Sequence, residues 1–359
     1  MAKRQTKKQK TNKTRQQTIK TSKNNEYNKW KEFGFPLVKN YLNPVQLFNR
    51  LKSLNSSQKY KQFINHTPFK LREKFAIIER DIRFRSKFIS VFIDMKYYHE
   101  MDIITDYYTE KSRIMVKRTP NEYSLLEHYE KGDLLSKALE KLHKQGKPVT
   151  TYNLREVFYE FPDIYNASPE STIFYICLLN TLFRKEQLTN LVILDGAGGY
   201  GTRLMTELVL GCRYYGVEPN KFSTPGFTAM INDFGNSSRQ IMFEDGLPTA
   251  PGVLKMHDNS ADVVFFSPPL FDGEVYPEDP KQSTSMFTDF KSWKYKFLHK
   301  SIEVLLSKLK KGGYIVFQSL RYDYIREYMQ KQKNMKFAGV ICRKTYAGRY
   351  KPNWIWCKI

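Results

Sequence analysis

Val192-Ile193-Leu194-Asp195-Gly196-Ala197-Gly198-Gly199-Tyr200-Gly201-Thr202 is the stretch on which the fold turns. An apolar run of strand-forming residues ends in an acid. A glycine-rich turn follows, and a helical pattern begins at Arg203-Leu204. The glycines allow a sharp turn and a close approach of backbone to a ligand. The turn falls one position short of the full dinucleotide pattern. It also lacks the Gly-Lys-Ser/Thr of a phosphate loop, which argues against an NTPase. About seventy residues on stands Val263-Val264-Phe265-Phe266-Ser267-Pro268-Pro269-Leu270, a second apolar run stopped by a serine and two prolines.

Outward from these two pieces, strands alternate with helices from about Asn166 to Ile359. The candidate strands are Leu191–Asp195, Arg213–Glu218, Gln240–Phe243, Ala261–Phe266, Tyr314–Ser319, Lys336–Arg343 and Asn353–Lys358. A helix with Leu298, Ile302, Leu305 and Leu309 on one stripe lies between the fourth and fifth, with Gly312-Gly313 as its expected stop. Only a Gly/Pro-bearing loop separates the last two strands, so they should run antiparallel. The fold class expected is α/β: a seven-stranded, mostly parallel Rossmann-like sheet with a terminal antiparallel hairpin.

The N-terminal half reads differently. Residues 30–165 form a mainly helical region. Asn43-Pro44 starts one helix, with Leu47, Phe48, Leu51 and Leu54 at helical spacing. Leu134, Leu135, Ala138, Leu139 and Leu142 make another, and Thr151 caps a third with Leu154, Val157 and Phe158 inside. The short Gly146-Lys147-Pro148 turn could belong to a helix-turn-helix, but a plain helical hairpin is the commoner explanation. Residues 1–29 hold ten Lys/Arg and one acid, Glu26, with almost nothing apolar. Such a segment is expected to be a disordered basic tail that binds phosphates; a localisation signal is the competing reading.

Composition bounds the partners. The net charge of +23 over 359 residues favours a polyanion, most simply nucleic acid, over a merely Lys-rich surface. Cys177, Cys212, Cys342 and Cys357 form no CxxC pair, so no metal site and no disulfide framework is expected, and the chain reads as intracellular. There is no apolar run of about 18 residues, so no membrane span is expected.

A parallel sheet binds its ligand beyond the carboxyl ends of the strands. Asp195, Gly196, Gly198, Gly199 and Gly201 stand at one such end, and Glu218 ends the next strand in Tyr-Gly-Val-Glu-Pro-Asn. A carboxylate there has two oxygens suited to two ribose hydroxyls. Glu244 or Asp245, after the third strand, could accept from an adenine amino group. The plainer alternative for each acid is a helix cap or a surface salt bridge. Ser267 Oγ and the Pro268 carbonyl, with Pro269 beside them, are suited to accept the two hydrogens of an exocyclic amine, making its nitrogen more tetrahedral. Phe271 and Tyr276 are candidates to stack on a base. The plainer reading of Ser-Pro-Pro is a strand-ending turn. Residues 272–293 form a long polar stretch of the kind that covers a substrate.

With these residues on view, the chain resembles the S-adenosylmethionine-dependent amino-methyltransferases of class I, through Asp195-Gly196-Ala197-Gly198-Gly199-Tyr200-Gly201-Thr202 and Ser267-Pro268-Pro269-Leu270. It is closer to DNA methyltransferases of large viruses, phages and algae. Further matches are Gly216-Val217-Glu218-Pro219-Asn220, then Pro225-Gly226-Phe227 with Met230-Ile231, and Gln282-Ser283 through Leu298. The resemblance covers residues 166–359. It implies S-adenosylmethionine as cofactor, with Ser168 and Pro169, beside Asn166, against its methionine end. NAD would suit the acid spacing, but Ser-Pro-Pro-Leu has no task in hydride transfer. The family carries Tyr or Phe where this chain has Leu270. A serine at the first motif position is more typical of cytosine N4 than of adenine N6 enzymes. The expectation is methyl transfer to an amino nitrogen of a nucleic-acid base, in DNA before RNA, by flipping or on a single strand. A non-catalytic nucleic-acid-binding subunit is the other reading.

Overall fold

The computed structural model describes residues 24–66, 91–94, 99–167, 169–271, 273–277, 279–318, 322–344, 348 and 350–359. The 1–23 part of the basic tail and Ser168 lie outside the described residues.

Among the described residues, nine strands form one mixed sheet. They are β1 (Ile64–Asn65), β2 (Val91–Asp94), β3 (Val192–Asp195), β4 (Arg213–Val217), β5 (Gln240–Phe243), β6 (Ala261–Phe266), β7 (Leu309–Gln318), β8 (Met335–Lys344) and β9 (Tyr350–Lys358). Their order is β1-β2-β8-β9-β7-β6-β3-β4-β5. β3, β4, β5, β6 and β7 run parallel, and β9 is inserted antiparallel between β7 and β8. The α/β class and the terminal antiparallel pair are as expected. The count of seven is not: β2 joins the edge parallel to β8, and β1 pairs antiparallel with β2. Two and four residues are too few for a period-2 pattern to show, so the region read as helical hid both strands.

Alternation along β6 explains the layering. Val263 and Phe265 enter one apolar core with Leu204 and Met205 of α7, while Val264 and Phe266 enter the other with Ile302 and Leu305 of α9. Here α7 is Thr202–Leu210 and α9 is Lys300–Lys308. Among the described residues, the helices of nine residues or more before them in the chain are α1 (24–33), α2 (Pro44–Ser56), α3 (Ile104–Ile114), α4 (Asp133–Lys144), α5 (Thr151–Tyr159) and α6 (Thr172–Leu182); α8 is Thr224–Phe234. The first of the two cores also takes in Leu47, Phe48 and Leu51 of α2, so the N-terminal region shares it with the strands.

The N-terminal helices follow their caps. Asn43 accepts from the Gln46 N–H with Pro44 at the first position, and Thr150 caps α5. The inner faces of α4 and α5 meet in a third cluster with Trp30 and Phe35. Residues 24–29, read with the tail, belong to α1, where Tyr27 packs against that cluster and Glu26 meets His143 at 2.8 Å. Charge joins α3 to α5 internally: Arg155 reaches Asp106 at 2.6 Å and Glu110 at 2.5 Å, and Arg113 reaches Asp106 at 2.9 Å.

Gly312-Gly313 does not stop a helix. α9 ends at Lys308, and Leu309 already begins β7. Ala261 pairs with Leu309 but Val263 with Tyr314, so the glycines lie in an irregularity of the strand, where Gly312 takes φ +79°. Among the described residues no helix is long and apolar enough to cross a membrane.

Candidate active site

Beyond the carboxyl ends of β3, β4, β6 and β7 lies a cavity of about 560 Å³. The glycine turn forms one wall. It is stitched to its neighbours through backbone: the Gly196 N–H donates to Phe265 O at 2.8 Å and the Gly198 N–H to Val217 O at 2.7 Å. A Cβ on Gly198 would stand 2.8 Å from Met242 Cε and 3.4 Å from Glu218 Cβ. The close approach that a glycine permits is therefore used here. Gly199 and Gly201 take φ +59° and +82°, and Gly201 caps α7.

Glu218 faces the same cavity. Its two oxygens accept the Gly199 N–H at 2.7 Å and the Asn220 N–H at 3.1 Å, which fixes the carboxyl while leaving further lone pairs. Burial pushes its pKa up to about 8, against the pull of those two N–H groups.

Asp195 has a different place from the one expected. It is fully buried and does not line the cavity. It accepts from Arg203 Nε at 2.6 Å, from the Tyr214 hydroxyl at 2.7 Å and from the Ala197 N–H at 3.1 Å. Its work is to neutralise Arg203, whose other arm donates to the Ala197 carbonyl. A strand-end acid looks the same in sequence whether it faces a ligand or a cation behind it. Gly201 does not line the cavity. Nor does Asp245, which accepts from the Gly246 N–H at 2.9 Å and lies 3.9 Å from Lys281. Gly246 and Leu247 do line it.

The Ser-Pro-Pro corner forms the facing wall. Ser267, Pro268, Pro269 and Leu270 all line the cavity, and so does Pro169. The Ser267 hydroxyl donates to the Gln318 carbonyl at 3.3 Å, so its oxygen keeps its lone pairs for a hydrogen brought by a ligand. Phe271 turns away. Its ring packs 5.6 Å from Phe290 and 5.8 Å from Trp293 and does not line the cavity; Tyr276 does. The physical reason is apolar demand: Phe271 packs into the core that covers β6, and Leu270 is left 40% exposed at the mouth.

Sequence reasoning missed the floor and the far wall. Beneath the cavity, Arg203 Nη1 donates to the Tyr175 hydroxyl at 3.0 Å, which donates to Gln318 Oε1 at 2.6 Å. The Gln318 amide donates to Glu170, and Glu170 pairs with Arg343 at 2.5 Å. A chain of polar contacts thus runs from the glycine turn to β8. The segment after the prolines contributes Gly273, Glu274, Tyr276, Lys281, Gln282 and Ser283 as lining residues. It is tied to the N-terminal region. Val275 and Lys117 exchange both backbone hydrogen bonds, at 2.8 and 3.1 Å, and the Tyr165 hydroxyl donates to Glu274 at 2.8 Å. Glu274 takes φ +58°, rare for its type, and burial raises its pKa. Only the resemblance at Asn166, Ser168 and Pro169 and the length of the 272–293 stretch hinted at this wall.

No protein-family model matches the chain, and no curated protein sequence matches it. Among solved structures the chain is similar to an rRNA methylase from Streptococcus thermophilus, at 15% identity and TM-score 0.35 over 54% of this chain and 99% of that one. It is similar to the precorrin-6y C5,15-methyltransferase of Geobacter metallireducens, at 16% identity and TM-score 0.31 over 49% and 84%. TYW2 of P. horikoshii, solved in complex with MeSAdo, is similar at 10% identity and TM-score 0.32 over 50% of this chain and 61% of its own length. Likenesses this slight leave the site to be read from its own geometry.

Proposed function

We propose that this chain is an S-adenosylmethionine-dependent methyltransferase that acts on an exocyclic amino nitrogen of a nucleic-acid base, with DNA as the first polymer to test. One observation carries the reading: the glycine turn, Glu218 and Ser267-Pro268-Pro269 open into the same cavity. The fit is favourable. Gly198 lets the turn close against Met242 and Glu218 at the cavity wall, and Glu218 keeps lone pairs for ribose hydroxyls. When bound, the cofactor supplies a sulfonium methyl whose positive charge makes a good leaving group.

The chain's own residues orient the acceptor. Ser267 Oγ, its proton committed to the Gln318 carbonyl, accepts one amine hydrogen, and the Pro268 carbonyl accepts the other. Both contacts favour the geometry in which the nitrogen lone pair leaves conjugation. Val217, Pro219 and Leu247 supply apolar surface beside Glu218 for a flat ring. A +23 charge supports a polyanionic substrate.

Mass spectrometry of nucleosides, from DNA and from RNA incubated with the protein and cofactor, tests this. The expected product is an N-methylated amino base from DNA. The same product from RNA alone moves the substrate to RNA. No methylated base from either polymer, alongside normal cofactor binding, removes catalysis and leaves a binding subunit.

A further inference from the structure

The charged side chains lining the cavity are almost all engaged. Arg203 is held by Asp195, Glu218 by two backbone N–H groups, Glu274 by Tyr165, and Lys281 by the Glu244 carbonyl at 2.8 Å. Lys351, near the start of β9, is the exception. It is half-buried and lines the cavity, and among the described residues its ammonium has no hydrogen bond or ion pair. Burial lowers its pKa, Glu170 raises it and Arg343 lowers it again.

Its surroundings hold charges of both signs. Glu170 pairs with Arg343 at 2.5 Å and faces Lys351 across the β8–β9 pair, where Arg343 and Lys351 are register partners, and buried Asp102 interacts with both Arg343 and Glu170. A half-buried cation without a partner is costly. An ammonium without a partner beside a carboxylate matches a zwitterion, whose carboxylate meets the first and whose ammonium meets the second. Of the other basic residues on the wall, Arg203 is held by Asp195 and Lys281 by the Glu244 carbonyl, while Arg118 lies 3.7 Å from Glu122 and over the Tyr165 ring. A polymer phosphate is the poorer fit, because only an extruded base enters a pocket of this kind and the phosphodiester chain stays at its mouth. The hydrogen-bonded chain Arg203–Tyr175–Gln318–Glu170 sets this corner on the same floor as the glycine turn.

We propose that Lys351 and Glu170 hold the zwitterionic amino-acid end of the cofactor, Lys351 its carboxylate and Glu170 its ammonium. The inference rests on the S-adenosylmethionine reading.

Titration calorimetry on the full chain tests it with two nucleosides. S-adenosylhomocysteine carries the amino-acid arm. 5′-Methylthioadenosine keeps adenine and ribose and lacks that arm. Wild type is expected to prefer the first. Lys351→Met is expected to lose at least tenfold in affinity for S-adenosylhomocysteine, stay within twofold for 5′-methylthioadenosine and keep its melting temperature. Lys351→Arg is expected to recover most of the loss. Glu170 is the poorer target, since its removal strands Arg343. Equal weakening of both nucleosides, or none of either, overturns the assignment. So does unchanged nucleoside binding with weaker, less salt-sensitive binding of a single-stranded oligonucleotide, which gives Lys351 to polymer phosphate. If wild type binds neither nucleoside, the cofactor reading falls first and this inference with it.

Discussion

The half of the cavity at the ends of β3 and β4 is made largely by backbone; the half beyond β6 and β7 is made by side chains drawn from across the chain. In the first, Gly196, Gly198 and Gly199 bond to Phe265, Val217 and Glu218, and a single turn defines the wall. In the second, Tyr165 and Glu170 line the cavity with Glu274, Gln318 and Lys351, which come from distant parts of the chain. Backbone stitched within one supersecondary unit is organised as soon as that unit forms. Side chains from separate elements are organised only after every loop between them has closed. The first half should tolerate change in the N-terminal region, and the second should not.

The largest effect that separates the halves is expected at Ser267. Ser267→Ala should lower the turnover number about 10²- to 10³-fold, as loss of one well-placed polar group does in other enzymes. Its dissociation constant for S-adenosylhomocysteine should stay within twofold. A parallel fall in both would break the division.

Glu218→Ala should do the opposite. It weakens the cofactor by roughly 10- to 100-fold, the worth of one to two hydrogen bonds to a charged group, and product formation recovers at saturating cofactor. Its pH dependence is a second reading. Ribose hydroxyls donate to the ionised carboxylate, so affinity should rise with pH to about 8 and then level. Glu218→Gln should flatten that slope. Stability runs the other way. The ordinary value is 4.5, so between 4.5 and about 8 the folded chain keeps a proton that the unfolded chain has lost. This group's contribution therefore declines as pH rises through that window, by about 1.4 kcal/mol per unit at most. Glu218→Gln should remove that decline from a pH series of denaturant titrations.

Tyr175→Phe cuts the chain beneath both halves at one hydroxyl. It should cost about 1 kcal/mol of stability and lower turnover by several-fold, with cofactor affinity little changed; calorimetric melting and steady-state kinetics check each. An unchanged turnover would show that the floor only supports the fold. The smallest effect sharpens the acceptor side. Leu270→Tyr restores an aromatic at a position that is 40% exposed. It should lower the acceptor KM by an amount equivalent to about 1 kcal/mol of base stacking, measured with an unmodified oligonucleotide.

Much of the first half was legible in the sequence. The strands through Asp195, Val217 and Phe266 and the turn between strand and helix follow from apolar runs stopped by glycine and proline. Glu218 was expected at a ligand, with a helix cap or a salt bridge as the plainer alternative, and it lines the cavity. The place of Asp195 was not legible, because its partner Arg203 lies in the first turn of α7 and Tyr214 on the neighbouring strand. Phe271 failed for a related reason: an aromatic beside a motif does not announce whether it faces the ligand or the core, and here Phe290 and Trp293 take it. β1 and β2 were too short to carry a period, and Gly312-Gly313 spell a helix stop and a strand irregularity alike.

By itself the sequence determined the alternation of strand and helix, the glycine turn, the proline corner and the charge of the chain, because each is written in residues close together. Only the tertiary structure decided which acids meet a cavity and which meet an arginine. It also decided that Tyr165, Glu170 and Lys351 line the same cavity as Ser267. Those outcomes depend on the packing of distant elements, and a side chain's direction is set by what has already filled the space around it.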